Sequence, residues 1–223
     1  MRTTRPEDIP ALVALSAREY GGGASWQPAQ LASHLAVFPE GQLVATLRDG
    51  GAEQVVGMAS SLIIFWDDYD IRAAWRDFTA GGYFTNHDPA QGRTLYGAEI
   101  IVDPARRGHG IGARLYEARC ALVQRLGLLR IRAGSRLAGY HVVADRMSAE
   151  EYVVEVVRER LHDPTLSFQL HHGFRVIGVV SGYLAHDPKS LGFAAIIEWL
   201  NERVATPTDR ELQQTWAARW LTA

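Results

Sequence analysis

Apolar residues fall at Ile9, Leu12, Val13 and Leu15, directly behind Arg5-Pro6-Glu7-Asp8. That spacing, with proline and acids at its head, predicts an amphipathic helix to about residue 20, ended by Gly21-Gly22-Gly23. A second helix is predicted over 27–37. Residues 42–47 and 54–64 then read as two strands of a hairpin joined across Asp49-Gly50-Gly51. The stretch 65–93 is aromatic, acidic and glycine-bearing without a clear period, and is expected to make a long excursion over one face. Residues 95–102 read as a mid-sheet strand, 111–126 as a helix, 128–133 as another strand and 147–160 as a helix capped by Ser148. A short helix over 167–174 should be stopped by Gly173, and 175–184 reads as a late strand. Thr208-Asp209-Arg210-Glu211 has the form of a capping box for a terminal helix, with Leu212, Trp216 and Trp220 on one face. That aromatic face should dock on the body of the protein or on a second subunit.

The pattern gives a mixed α/β chain in which antiparallel hairpins pass into a βαβ unit, and 223 residues, 47% of them apolar, can build its core. A formal net charge of −2 from interspersed charges provides no field to gather nucleic acid, so any anion site must be local. No apolar run is long enough to span a bilayer and no leader pattern opens the chain, so neither a membrane nor a nucleic-acid partner is expected and a cytoplasmic location is. Cys120 is the single cysteine, which excludes an intrachain disulfide, and its apolar helical setting reads as a structural thiol.

The chemistry is concentrated between residues 95 and 126. A strand leads through Asp103-Pro104-Ala105-Arg106 into Arg107-Gly108-His109-Gly110-Ile111-Gly112 and an amphipathic helix with Ile111, Leu115, Ala118, Leu122 and Leu126 as its stripe. Glycines at 108, 110 and 112 let the main chain approach a ligand. The helix head supplies free N–H donors and a positive dipole end, and Arg106, Arg107 and Arg114 add mobile charge. Together they suit a pyrophosphate. Gly108-x-Gly110-x-x-Ala113 also fits the dinucleotide fingerprint, which would imply an NAD(P)-dependent enzyme. Against that reading, residues 103–107 separate the first glycine from the strand, and the next strand ends Arg130-Ile131-Arg132-Ala133-Gly134 without an acid for a ribose. A glycine-rich turn that serves packing alone is the remaining alternative.

Val102-x-Pro104-x-x-Arg107-Gly108-x-Gly110-Ile111-Gly112 resembles the pyrophosphate motif of the GNAT superfamily of acyl-CoA-dependent acyltransferases. Leu95-Tyr96-Gly97-Ala98-Glu99, Leu115-Tyr116-Glu117-Ala118-Arg119, Met147-Ser148-Ala149-Glu150-Glu151-Tyr152 and Leu166-Ser167-Phe168-Gln169-Leu170 are similar to the acetyltransferase module that some bacterial proteins fuse to a nitrilase-type carbon–nitrogen hydrolase. The resemblance covers most of the chain to Asn201, with 202–223 as a helical appendage. It implies a GNAT-like sheet, mostly antiparallel, with a central parallel strand pair that splays apart. Acetyl-CoA, or another acyl-CoA, would be held by Arg107, Gly108, His109, Gly110, Ile111, Gly112, Ala113 and Arg114, with pantetheine pairing to Ile101 and Val102 and no metal required. A primary amine, of a small molecule or a peptide, would attack the thioester directly.

An amine must lose its proton first, and Glu99 is the candidate base. Strand alternation places it with Leu95, Gly97 and Ile101; an ion pair with an arginine is the alternative role. The resemblance puts the family's acid, a tyrosine, at Gln169, with Tyr152, Tyr140 and His141 as substitutes. Gln169 therefore also motivates a different class of function, an acyl-CoA-binding sensor or assembly module with little turnover. His171 and His172 read as a solvated helix end, because no further ligand falls at metal spacing. Asp67, Asp68 and Asp70, beside Trp66 and Tyr69, would suit a cationic amine, or form a solvated lid. A homodimer through the terminal helix is the one oligomer the sequence suggests.

Overall fold

A computed structural model of the chain describes residues 1–20, 25–49 and 52–222. Its sheet has the order β1-β2-β3-β4-β5-β7-β6. The strands are β1 (Arg2–Thr3), β2 (Gln42–Asp49), β3 (Ala52–Ile64), β4 (Thr94–Val102), β5 (Arg130–Arg136), β6 (Arg175–Val180) and β7 (Ala194–Leu200). β4 and β5 run parallel and every other neighbouring pair is antiparallel. The expected hairpin is present, with Asp49 opposite Ala52; Gly50 and Gly51, like Gly21, Gly22 and Gly23 after the first helix, lie outside the described residues.

One face carries α1 (Ile9–Tyr20), α2 (Pro28–Val37) and α3 (Trp75–Phe78). The other carries α4 (Ile111–Arg125), α5 (Ala149–Val157) and α6 (Leu166–His171). α4 is the best anchored. It buries Ile111, Leu115, Tyr116, Leu122 and Val123, each stabilising by roughly 1.5–3 kcal/mol, and a charged residue, Arg119, among them. The stripe is wider than expected: it takes in Tyr116, Arg119 and Val123, with Ala118 and Leu126 partly buried at its margins. α5 begins where Ser148 accepts the Glu151 N–H and Glu151 accepts the Ser148 N–H, as the capping pattern predicts, and ends at Val157.

Three expectations about the C-terminal third are corrected. β6 stops at Val180, because Gly182 at φ 71° turns the chain. β7, which alternation left unassigned, inserts between β5 and β6; Ala194–Leu200 is buried almost throughout, so it shows no polar face for alternation to reveal. α7 (Pro207–Thr222) starts one residue before Thr208, and its cap lies two residues earlier than the predicted box, with Thr206 and Asp209 capping each other. Its buried positions are Gln213 and Ala217, while Leu212 is exposed. Trp216 packs into the core of the α1 face and Trp220 into that of the α4 face, so the helix wraps the β6 edge of the sheet and closes an otherwise open strand. Both tryptophans are thus spent on this chain's own body.

Beneath α7, Arg132 is buried on β5 with its guanidinium 4.3 Å from the ring centroid of Trp66 and 5.4 Å from that of Trp216. Glu198 of β7 accepts from it at 2.7 Å and from Arg130 at 3.0 Å. The segment 65–93 is likewise no free lid. Phe78 and Phe84 are fully buried, and His34, Ser33 and Gln30 of α2 bond the carbonyls of Gly82, Tyr83 and Gly81. Among the described residues no helix is long and apolar enough to cross a membrane.

Candidate active site

β4 and β5 pair only through Thr94, Leu95 and Tyr96, opposite Arg130, Ile131 and Arg132; from Gly97 onward the two strands part. The opening is reinforced by a bulge. Ser60 stands opposite Glu99 and Ser61 opposite Gly97, which leaves Ala98 as an extra residue on β4, its carbonyl accepting from Trp75 Nε1 at 2.9 Å. The extra residue also inverts the alternation. Leu95 packs on the α4 face, and Gly97 does the same against Arg119, whereas Tyr96, Ala98 and Ile101 pack on the α1 face. Glu99 is on the α1 side too, so it shares a face with Ile101 but not, as simple alternation has it, with Leu95 and Gly97.

There the half-buried Glu99 carboxylate accepts the Tyr20 hydroxyl, 2.9 Å from both oxygens, and the Ile100 N–H at 2.9 Å. Burial pushes the Glu99 carboxyl above the ordinary range, opposed by those two hydrogen bonds and by Arg136. Glu99 has no ion pair with an arginine among the described residues; Arg136 lies over the Tyr20 ring, 5.7 Å from its centroid. Burial and the neighbouring Glu99 charge hold the Tyr20 phenol well above its usual value. Nearby, the Tyr183 hydroxyl accepts the Gly134 N–H at 3.2 Å, bonds the Tyr96 hydroxyl and fills the space that a side chain at Gly134 would need. Sequence reasoning missed Tyr20 and Tyr183, because the fold alone brings residues so distant in the chain to Glu99 and Gly134.

Beyond Val102 the chain makes a single 3₁₀ turn, Pro104–Arg106, capped by Asp103, and passes into the glycine loop. Gly108 at φ 80° and Gly110 at φ 74° hold left-handed backbone that favours glycine, and nothing lies within 4 Å of a Cβ built at either. Gly110 is the N-cap of α4. The first backbone bond at that end runs from Arg114 N–H to the Gly110 carbonyl at 3.1 Å, and among the described residues no backbone carbonyl takes the amides of residues 108–113. These donors converge at the positive end of a fifteen-residue helix. Gly112 has a different task from the one its position in the motif suggests: a Cβ there would meet the Phe168 ring of α6 at 3.0 Å, so the missing side chain admits the neighbouring helix. Arg107 is paired with Glu19 of α1, and Arg18 with Asp103 at 2.9 Å, so two ion pairs tie α1 to the loop. His109 Nδ1 faces the carbonyls of Arg106 and Arg107, and Arg114 is exposed.

The remaining candidates sit elsewhere. Tyr152 is buried in the α5 core with its hydroxyl donating to Asp163 at 3.0 Å, which also receives the Gly139 N–H, and the structure does not bring it to Glu99. Tyr140 packs beside it, and His141 contacts the Lys189 carbonyl. Gln169 is buried and donates to the Tyr116 hydroxyl at 2.7 Å. Burial pushes the Cys120 thiol up to about 11, the reverse of an activated nucleophile. Asp70 is paired with Arg72, Asp67 and Asp68 are exposed, and Trp66 serves Arg132. Among the described residues, no group of three or more His, Cys, Asp or Glu side chains could hold a metal ion.

Residues 9–144 match the model of the Acetyltransferase (GNAT) family. The chain is 41% identical over 201 residues to the probable hydrolase YhcX of Bacillus subtilis, covering 90% of itself but only 38% of that protein's length. It is 37% identical over 176 residues to the uncharacterized N-acetyltransferase YkwB of the same organism, covering 79% of itself and 75% of YkwB. Among solved structures it is similar to the GphF GNAT-like decarboxylase in complex with isobutyryl-CoA, with a TM-score of 0.73, 30% identity and coverage of 89% and 97% of the two chains. A parallel strand pair that parts beside a glycine loop at a helix head, the family match over the same residues and the YkwB relationship converge on one conclusion: the chain belongs to the GNAT family of acetyltransferases.

Proposed function

We propose that the chain transfers an acetyl group from acetyl-CoA to a primary amine by direct attack. The observation that carries this reading is the set of uncommitted amides at residues 108–113, at the head of α4 and next to strands that part at Gly97. Gly108, His109, Gly110, Ile111, Gly112 and Ala113 would hold the pyrophosphate through their main chain, with Arg107 and Arg114 as flanking charge. The edge of β4 at Ile101 and Val102 would pair with pantetheine as an added strand does. Glu99, its pKa raised by burial, takes the ammonium proton; Tyr20 orients it and Arg136 tempers its charge. Thiol release from acetyl-CoA, followed across polyamines, amino acids and peptides, tests the proposal. Amine-dependent release is expected; absence of release with coenzyme binding intact would favour a sensor or assembly module.

Gln169 supports a second reading. Loss of CO2 from an α-carboxyacyl thioester leaves the C–S bond intact and needs no proton on sulfur, and one similar protein is described as a decarboxylase. CO2 evolved from such a thioester without thiol release would establish that reaction in place of acyl transfer.

A further inference from the structure

Arg119 is a cation in the wrong place for packing alone. It sits on the buried stripe of α4 with 1% of its surface exposed, and among the described residues it forms no ion pair with a carboxylate. A guanidinium keeps its charge even when buried, and a buried charge is costly unless something compensates it. The Tyr116 ring, its centroid 5.5 Å from Cζ, supplies part of the compensation. The rest comes from β3 and β4. Arg119 Nη2 donates to the Ser60 carbonyl at 3.2 Å and to the Glu99 carbonyl at 2.6 Å, and these two residues face each other at the bulge. Gly97 makes room for the guanidinium, since a Cβ there would stand 3.0 Å from Nη1.

The missing negative charge lies on the other face of the strand. The peptide group that joins Glu99 to Ile100 accepts from Arg119 through its oxygen, and its N–H donates to the Glu99 carboxylate at 2.9 Å. One peptide unit therefore connects a buried cation on the α4 side to a carboxylate on the α1 side. A cation at the oxygen draws electron density toward itself and leaves the N–H a stronger donor, so each bond strengthens the other. The grip on the carbonyl also fixes the plane of the peptide, and with it the direction of the N–H.

We propose that Arg119 is the counter-ion of Glu99 across β4, acting through the 99–100 peptide to position the carboxylate and keep it ionised. The proposal rests on the reading of Glu99 as the base and makes Arg119 a positioning residue for it. The other groups that act on Glu99 are Tyr20 and Glu19 of α1 and Arg136 of β5, with the phenols of Tyr116 on α4 and of Tyr183 after β6. Tyr20 and Arg136 favour the charged carboxylate and Glu19 opposes it, while β3 contributes the uncharged Ser60. Burial favours the neutral acid, and Arg119 works against burial from the side that no solvent or substrate reaches.

The test titrates the Glu99 carboxyl in the full chain without substrate, by infrared difference spectroscopy, with its band assigned by loss in Glu99→Gln. Arg119→Gln removes the charge, so the carboxyl should titrate about one pH unit higher than in wild type, and the acid limb of kcat should move with it. Arg119→Lys restores a cation and should bring the titration at least halfway back. Gly97→Ala, whose methyl presses on the guanidinium, should shift it in the same direction by less, and serves if Arg119→Gln does not fold. A carboxyl that titrates as in wild type in Arg119→Gln, or in Gly97→Ala where that variant replaces it, overturns the proposal. So does a lysine variant shifted as far as the glutamine one, because shape and not charge would then be responsible. The titration needs no turnover: if the shift appears but no amine ever releases thiol, acyl transfer fails and the coupling of Arg119 to Glu99 stands.

Discussion

As the proposed base, Glu99 must be ionised to take a proton, which would set the acid limit of the reaction. Burial raises Glu99, and the Tyr20 hydroxyl holds it down by bonding its charged form. Turnover should therefore fall as pH drops through a value above the ordinary ~4.3 of a glutamate. Tyr20→Phe removes a stabiliser of the charged form, so Glu99 rises further and the acid limb of kcat moves to higher pH. A limb that stays in place in the variant would remove Tyr20 from the arrangement. Glu99→Gln should lower kcat by ~10²-fold or more with coenzyme affinity retained, and wild-type turnover in that variant would exclude Glu99 as the base. At this scale the sequence was legible in kind and misleading in direction. A carboxylate on an inner strand was visible as chemistry, but the bulge at Ala98 that turns it toward α1 has no sequence signal. Gln169 was read as a departure from the family's tyrosine, and its buried bond to Tyr116, like the bond from Arg119 to the Glu99 carbonyl, depends on contacts across elements that leave no sequence signal.

The segment 65–93 shows how an element's role follows from docking rather than pattern. Its aperiodic aromatics concealed a set of contacts to α2, centred on His34, whose ring stacks 3.6 Å from Phe84 and meets the Gly82 carbonyl at 2.7 Å. Burial lowers the His34 pKa to about 4, against about 6.5 in an unfolded chain. The unfolded state therefore gains protons first. Stability is complete above pH 6.5 and is lost progressively as pH falls toward 4, by roughly 3 kcal/mol at the lower end. Thermal unfolding followed over that range should show the loss in wild type and a shallower slope in His34→Gln; equal slopes would show that His34 is not the group responsible. The periodic helices and the hairpin were legible because their partners are local or their faces two-sided. β7 was hidden because a strand buried on both faces shows no apolar–polar alternation, its one charged residue, Glu198, being buried too.

Across the whole molecule, the sheet is held closed at Thr94, Leu95 and Tyr96 and open beyond Gly97, and the glycine loop stands beside that opening. α7 seals the far edge of the sheet with its two tryptophans, an arrangement that the sequence foretold in its aromatic content and not in its register. The motif at 107–112 was the clearest signal in the chain, since its donors are main-chain atoms and need only glycine and a helix head to exist. Its claim is also the most exposed to a direct check. Titration calorimetry of coenzyme A into wild type should show saturable binding to a single site, abolished in Gly110→Asp, where a side chain and a negative charge enter left-handed backbone at the proposed phosphate cradle. No heat of binding in wild type, or unchanged affinity in Gly110→Asp, would contradict the account.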